Sequence, residues 1–227
     1  MVDRWVGRLL ERLESLGVVE QTAVLFTTDH SFHVGEHGGL FGKMIRHETW
    51  VRGRPDCARS PLYEDIAHIP LLVHVPGRLG GRVARLTSAI DLMPSVLELL
   101  GVPVPEGLPL HGRSFGAALE GDAGRGREIA VTTMPLANPG EDVRVVDSVL
   151  RRVTAYQPAT ISTPEWSLLY AARGEPVELY HLPSDPRQET NVAERHPGVV
   201  QDLHRAYRAL LEETGTAETY LAPRRAL

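Results

Sequence analysis

Residues 26–43 read FTTDHSFHVGEHGGLFGK, a stretch that gathers two carboxylates, three imidazoles and an ammonium within eighteen positions. Asp29 and His30 follow directly on a short, β-prone apolar run at 22–28, where side chains can project into the crevice beyond a strand's carboxyl end. A carboxylate beside an imidazole is a ligand pair for a divalent cation. Gly35, Gly38, Gly39 and Gly42 argue against a helix and for backbone lying close to something small. Lys43 then returns a compact positive charge to the same rim. Among 24 basic residues it is the only lysine, so a chain that uses Arg wherever a generic cation serves has kept an ammonium here. A metal centre, a cradle for phosphate or sulfate, and a histidine-rich polar loop all stay open on these residues alone. A zinc site from His30, His33 and His37 would need a helix that the glycines oppose, and no HExxH is present.

The elements that must position this loop are legible from periodicity. Val2, Trp5, Leu9, Leu10, Leu13 and Leu16 recur at helical spacing, with Gly17 as a stop. Residues 22–28 suit a buried strand, and IPLLVHV at 69–75 a second one. Helix, tight turn and strand in succession predict an α/β layer fold with a mainly parallel sheet. A helix follows in SAIDLMPSVLELLG, with Asp91 as N-cap and Gly101 as stop. Residues 102–127 are rich in Pro and Gly and read as a connection. Beyond it, REIAVTT, VRVVDSVLRRVTAY, WSLLYA and VELYHL are β-prone, the last two joined through ARGEP as a hairpin, and residues 197–213 form an amphipathic helix. The expected organisation is 1–127 as part of an α/β core and 128–227 as a small antiparallel sheet with a helix on it.

Composition narrows the function classes. A net charge of -5 gives no reason to expect nucleic acid or an anionic membrane surface as partner. One cysteine, Cys57, rules out an internal disulfide framework. No apolar run reaches membrane-spanning length, and residues 1–16 read as an amphipathic helix and not a signal peptide, which leaves the compartment open.

Four blocks taken together, TAVLFTTDHSFHVGEHGGLFGK, PLYEDIAHIPLLVHVPG, AIDLMPSVLELLGV and ELYHLPSDPRQETNVA, resemble in sequence and order the C-terminal half of a sulfatase, of the alkaline-phosphatase-like superfamily. The resemblance implies a partial alkaline-phosphatase-like core with a mainly parallel sheet, plus a small C-terminal α+β subdomain. It implies hydrolysis of a small-molecule or saccharide sulfate ester, with Asp29 and His30 completing a metal site, most often Ca2+. Lys43 falls where the family contacts the sulfate and its bridging oxygen, and His37 at a supporting position near the site. Glu36 and His33 read as loop structure, and Asp185 and Asn191 as turn ties. Gln188 stands where the family usually has Glu.

Departures from the pattern matter as much. The family nucleophile, a formylglycine made in a C/S-x-P-x-R motif, and two further metal-binding Asp residues precede the matching region and have no counterpart in this chain. CARSP at 57–61 has the letters in the wrong order, so Cys57 is read as an ordinary thiol. Residues 44–60 look like an insertion, and Glu64, Asp65 and His68 are read as structural. The expected activity is therefore that of a sulfatase-like hydrolase whose remaining half lies elsewhere, with the missing half as a partner. A phosphonate monoester or phosphodiester hydrolase using Mn2+ or Zn2+, and a non-catalytic binding module, are the alternatives.

Overall fold

The computed structural model describes residues 1–42, 47–51, 54–57, 62–78, 80–121, 124, 126–133, 159–172 and 176–227. In chain order the elements are α1 (Val2–Ser15), β1 (Val24–Phe26), β2 (His33–Val34), α2 (Glu36–Gly39, a single irregular turn), β3 (Phe41–Gly42), β4 (His47–Val51) and β5 (Arg54–Cys57). Then come α3 (Glu64–Ala67), β6 (Leu72–His74), α4 (Leu92–Leu99), α5 (Gly116–Leu119), β7 (Ala130–Thr133), β8 (Ala159–Ser162), β9 (Trp166–Tyr170), β10 (Glu178–His181), α6 (Pro197–Glu213) and α7 (Glu218–Leu221). The expected strand VRVVDSVLRRVTAY lies outside the described residues, as does the middle of ARGEP.

Both helix stops read from glycine are found. At the end of α1, Gly17 has φ 67° and its N–H bonds the Glu14 carbonyl at 2.9 Å, while Val18 N–H reaches back to Leu13 at 3.2 Å. Gly101 ends α4 in the same way, with φ 65° and the Val102 N–H on Leu97 at 2.8 Å. This left-handed closure satisfies carbonyls that the helix end would otherwise leave without partners.

The first sheet departs from expectation. β1 pairs with β6 antiparallel, Leu25 opposite Val73, and every pairing among the described residues is antiparallel. Parallel neighbours need a crossover, usually a helix. Among the described residues the connection from β1 to β6 holds two hairpins and two single helical turns, α2 and α3, and brings the chain back running the other way. Nor are these strands fully buried: Phe26 and Leu72 are exposed, as an isolated two-stranded pair leaves its faces open. α1 keeps its apolar stripe, yet none of its residues is buried.

The packed core lies further on. β10, β9, β8 and β7 form a four-stranded antiparallel meander, with Ile161 opposite Leu168 and Leu168 opposite Leu179. α6 lays Val200, Leu203, Tyr207 and Leu211 against that face, and Leu221 of α7 closes one end. The tail is fastened there by polar contacts. The Tyr170 hydroxyl donates to the Ala226 carbonyl at 2.6 Å, and His204 Nε2 donates to that of Arg224 at 2.9 Å. Burial, with Tyr207 alongside, pushes the Tyr170 hydroxyl up to about 12, and burial pulls His204 below its ordinary value. Both rings are therefore neutral donors near pH 7.

A seam joins this unit to the segment after the reactive loop. Leu62 and Tyr63 are buried, and the Tyr63 hydroxyl donates to Glu178 Oε2 at 2.9 Å, as does Tyr180 at 2.7 Å. Gln188 accepts the Glu64 N–H at 2.6 Å and donates to Ser167 at 3.1 Å. Thr160 donates to the Leu62 carbonyl at 2.6 Å. As expected, Asp185 ties a turn by accepting the N–H groups of Glu189 and Thr190, and Asn191 Oδ1 accepts those of Leu179 and Ala193.

Asp91 does more than the capping role that its position predicts. Ser88 is the cap residue, and Asp91 answers it by accepting the Ser88 N–H at 2.9 Å in a capping box. Its carboxylate is buried and also takes the Arg113 N–H at 2.6 Å, Arg127 Nε at 2.8 Å and Arg127 Nη2. Phe115 N–H bonds Ser95 Oγ at 3.0 Å, and at Gly112 a Cβ would collide with the Ile90 carbonyl. The Pro/Gly-rich connection is thus fastened to α4 along its length. Burial pushes the Asp91 carboxyl up, but Arg127 and the N–H groups of Arg113 and Ser88 outweigh it and hold the group below the usual carboxylate range.

The seam and the buried Asp91 carboxylate generate three stability predictions. Arg127→Ala strands a buried carboxylate and should cost about 3–5 kcal/mol, read as a lowered urea midpoint. Because the folded value of Asp91 is depressed, its contribution is complete above about pH 4 and is lost as pH falls through the folded value. Asp91→Asn should flatten that acid limb. Tyr63→Phe removes a phenol donor to buried Glu178 and should cost about 1.5–3 kcal/mol, with the secondary structure unchanged by circular dichroism. An unchanged midpoint would mean the seam carries no stability.

Candidate active site

β1 delivers the chain to Asp29 and His30, as the sequence predicts. Asp29 Oδ1 accepts the His30 N–H at 2.9 Å and the Thr28 hydroxyl at 3.3 Å, and Thr28 also donates to the His30 carbonyl at 3.1 Å. The His30 N–H, with smaller help from the His30 charge and Thr28, holds the exposed Asp29 carboxyl below its ordinary value. His30 Nδ1 lies 2.9 Å from the Ser31 carbonyl. A carbonyl only accepts, so Nδ1 carries a proton at this contact. Nε2 lies 3.3 Å from Asp29 Oδ2, which puts two donor atoms side by side. Ser31, where the resemblance expects glycine, anchors the turn through its N–H to the Ile66 carbonyl at 3.3 Å.

The loop beyond is a tight return. β2 and β3 pair antiparallel with His33 opposite Gly42 and Val34 opposite Phe41. Between them Glu36 accepts the Val34 N–H at 2.5 Å, and the Gly35 N–H bonds the Leu40 carbonyl at 2.9 Å. His37 sits in the left-handed region at φ 51°, ψ 46°, a conformation that costs an L residue about 1 kcal/mol or more and that clusters at functional sites. Lys43, the residue after Gly42, lies outside the described residues, as does the placement of most side chains of the 44–60 insertion. Its described parts form the antiparallel hairpin of β4 and β5.

His37 is held by a residue that sequence reasoning set aside. Its Nε2 lies 3.0 Å from Asp65 Oδ2, and its ring stacks on Tyr63 with centroids 3.7 Å apart and planes 14° from parallel. Buried His33 brings Nδ1 to 3.8 Å from the same Asp65 oxygen. His33 is therefore packed into the cluster, beyond the loop role read for it. Asp65, Tyr63 and Glu178 carry no local signal. Asp65 is 28 positions from His37, and Glu178 is 115 from Tyr63, so only the folded chain unites them. His68 is exposed and pairs with Glu64 at 3.2 Å, which raises its affinity for a proton. An open groove of about 480 Å³ runs beside the cluster, lined by His37, Tyr63, Glu178, Tyr180 and Gln188 among others.

With this geometry in hand, the relatives can be placed. The sulfatase family model matches residues 1–102. Arylsulfatase K of Gallus gallus is 26% identical over 220 residues, spanning 96% of this chain and 36% of its own length. Among solved structures, a protein in complex with its substrate D-glucosamine-2-N,6-O-disulfate aligns with TM-score 0.63 at 24% identity, over 100% of this chain and 40% of its own. The phosphonate monoester hydrolase of Agrobacterium radiobacter aligns with TM-score 0.69, also at 24% identity, over 94% of this chain and 39% of its own. These two likenesses show the fold. The chain spans between 34% and 40% of the length of the first curated relatives. No helix among the described residues is long and apolar enough to cross a membrane. The chain is thus similar to sulfatases over most of its length and aligns with the C-terminal part of these longer relatives.

Proposed function

We propose that this chain supplies one side of a metal-dependent site that hydrolyses sulfate esters, with sulfated saccharides as the substrate class. The observation that carries the reading is the pair of donors at the end of β1. Asp29 Oδ2 and His30 Nε2 stand 3.3 Å apart, and the Ser31 carbonyl accepts the imidazole Nδ1–H. Such back-side bonding of Nδ1–H is the usual support of a metal-ligating histidine. Asp29 and His30 would hold a divalent cation, which would supply a Lewis acid for the sulfate oxygens. By the family resemblance, Lys43, outside the described residues, would supply an ammonium for the charge that builds on the bridging oxygen as the ester breaks. His37 acts from behind as a supporting residue.

Two ligands do not make a calcium site, which takes 6–8 oxygens. The remaining ligands and the nucleophile have to come from outside these 227 residues. The rest of a sulfatase fold would find apolar surface to pack on: Trp5 and Leu9 of α1, Phe26 of β1 and Leu72 of β6 are exposed, and among the described residues β1 and β6 pair only with each other. A second reading is favoured by His30 itself. An imidazole suits Mn2+ or Zn2+ better than Ca2+, and the phosphonate monoester hydrolase shares the fold.

The purified chain should show no turnover of 4-nitrophenyl sulfate or of a phosphonate monoester, with or without added metal. Co-expression with a polypeptide bearing the C/S-x-P-x-R nucleophile should restore one of them, and Asp29→Ala or Lys43→Ala should abolish it by about 100-fold or more. Preference for the phosphonate ester would select the second reading. No rescue by any such polypeptide would select a non-catalytic module, and robust turnover by the chain alone would falsify the proposal.

A further inference from the structure

We propose that His33, His37 and Asp65 form a second cation site, for a divalent transition metal of the zinc class, distinct from Asp29 and His30. The three offer one donor atom each, all within 4.8 Å of one another. His37 Nε2 is 3.0 Å and His33 Nδ1 3.8 Å from the shared Asp65 Oδ2. An ion with bonds of about 2.1 Å in tetrahedral geometry needs its donors about 3.4 Å apart, and these separations bracket that value. Two imidazoles and one carboxylate match Zn2+, Fe2+ or Co2+ and are a poor set for Ca2+ or Mg2+, which take oxygen.

The cluster is also organised in advance. His37 is turned back toward β2 by its left-handed backbone, between Gly35 at φ 127° and Gly38 at φ 81°. Stacking on Tyr63 fixes the imidazole plane, and Glu178 fixes Tyr63 from the far side. His33 is held in register opposite Gly42. The side chains of His33 and His37 are 1% and 7% exposed against 36% for Asp65, so the cluster is walled by its histidines and opens at the carboxylate. Three protein donors with an open fourth position is the arrangement of a metal that keeps a water or takes a ligand. His37 also lines the groove shared with Tyr63, Glu178 and Tyr180, so a small anionic ligand could reach that position. A cation here would tie the start of the glycine-rich return, His33, to its turn at His37. It shares His37 with the sulfate-ester reading but neither of that reading's metal ligands, so metal uptake here is read separately from turnover there.

The test uses the whole 227-residue chain in metal-free buffer, titrated with Zn2+ by calorimetry and with Co2+ by visible absorption. Expected are uptake of Zn2+ with a Kd in the micromolar range or below, Co2+ ligand-field bands, and a higher melting temperature with Zn2+. His33→Asn, His37→Gln and Asp65→Asn should each weaken binding by at least about tenfold, the range that even outer partners of a metal site command. Asp29→Ala should leave the Zn2+-induced shifts of His33 and His37 unchanged. Should a variant fail to fold, imidazole nitrogen NMR of the unaltered chain decides: Zn2+ should shift His33 and His37. No uptake, or uptake that moves other histidines or is lost in Asp29→Ala and kept in His33→Asn, overturns the site.

Discussion

A buried carboxylate holds this molecule together at its most consequential joint. Glu178 is on β10, inside the C-terminal meander, and takes the hydroxyls of Tyr63 and Tyr180. A polar group this far from water needs hydrogen-bond partners, and leaving one unmet costs about 1–3 kcal/mol. One of those partners belongs to the segment that follows the reactive loop. The face of Tyr63 then supports His37, and Asp65, two residues on, meets His37 from the side. The geometry of the loop is thus set by a sheet more than a hundred positions downstream.

What the sequence discloses divides along the same line. Asp29 and His30 at the end of a strand, Gly17 and Gly101 past the end of helices, and Asp185 and Asn191 in a turn were all readable, because each role depends on near neighbours. Asp91 was half readable: its place before a helix signals capping, while the Arg127 that makes it a hub lies 36 positions away. Asp65 looked structural because nothing local betrays that His37 returns to it. The direction of β1 against β6 was misjudged for a related reason. Helix followed by strand predicts a crossover only if the next connection is a helix, and here it is occupied by the loop itself.

Burial is distributed unevenly. The main core cluster lies between the meander and α6, while α1 has an amphipathic pattern and no buried residue. The chain spans between 34% and 40% of the length of its first curated relatives, so the surface that an α1 stripe would cover in them is to be sought in the part they have and this chain does not.

The 115 positions between Tyr63 and Glu178 also impose an order on assembly. β8, β9, β10 and α6 meet neighbours close in sequence, and contacts of that kind form fast. The partner surface for residues 62–66 does not exist until β10 has been made. During synthesis the histidine-rich loop emerges well over a hundred residues before Glu178, so the support that Tyr63 gives His37 is completed only after β10 has followed.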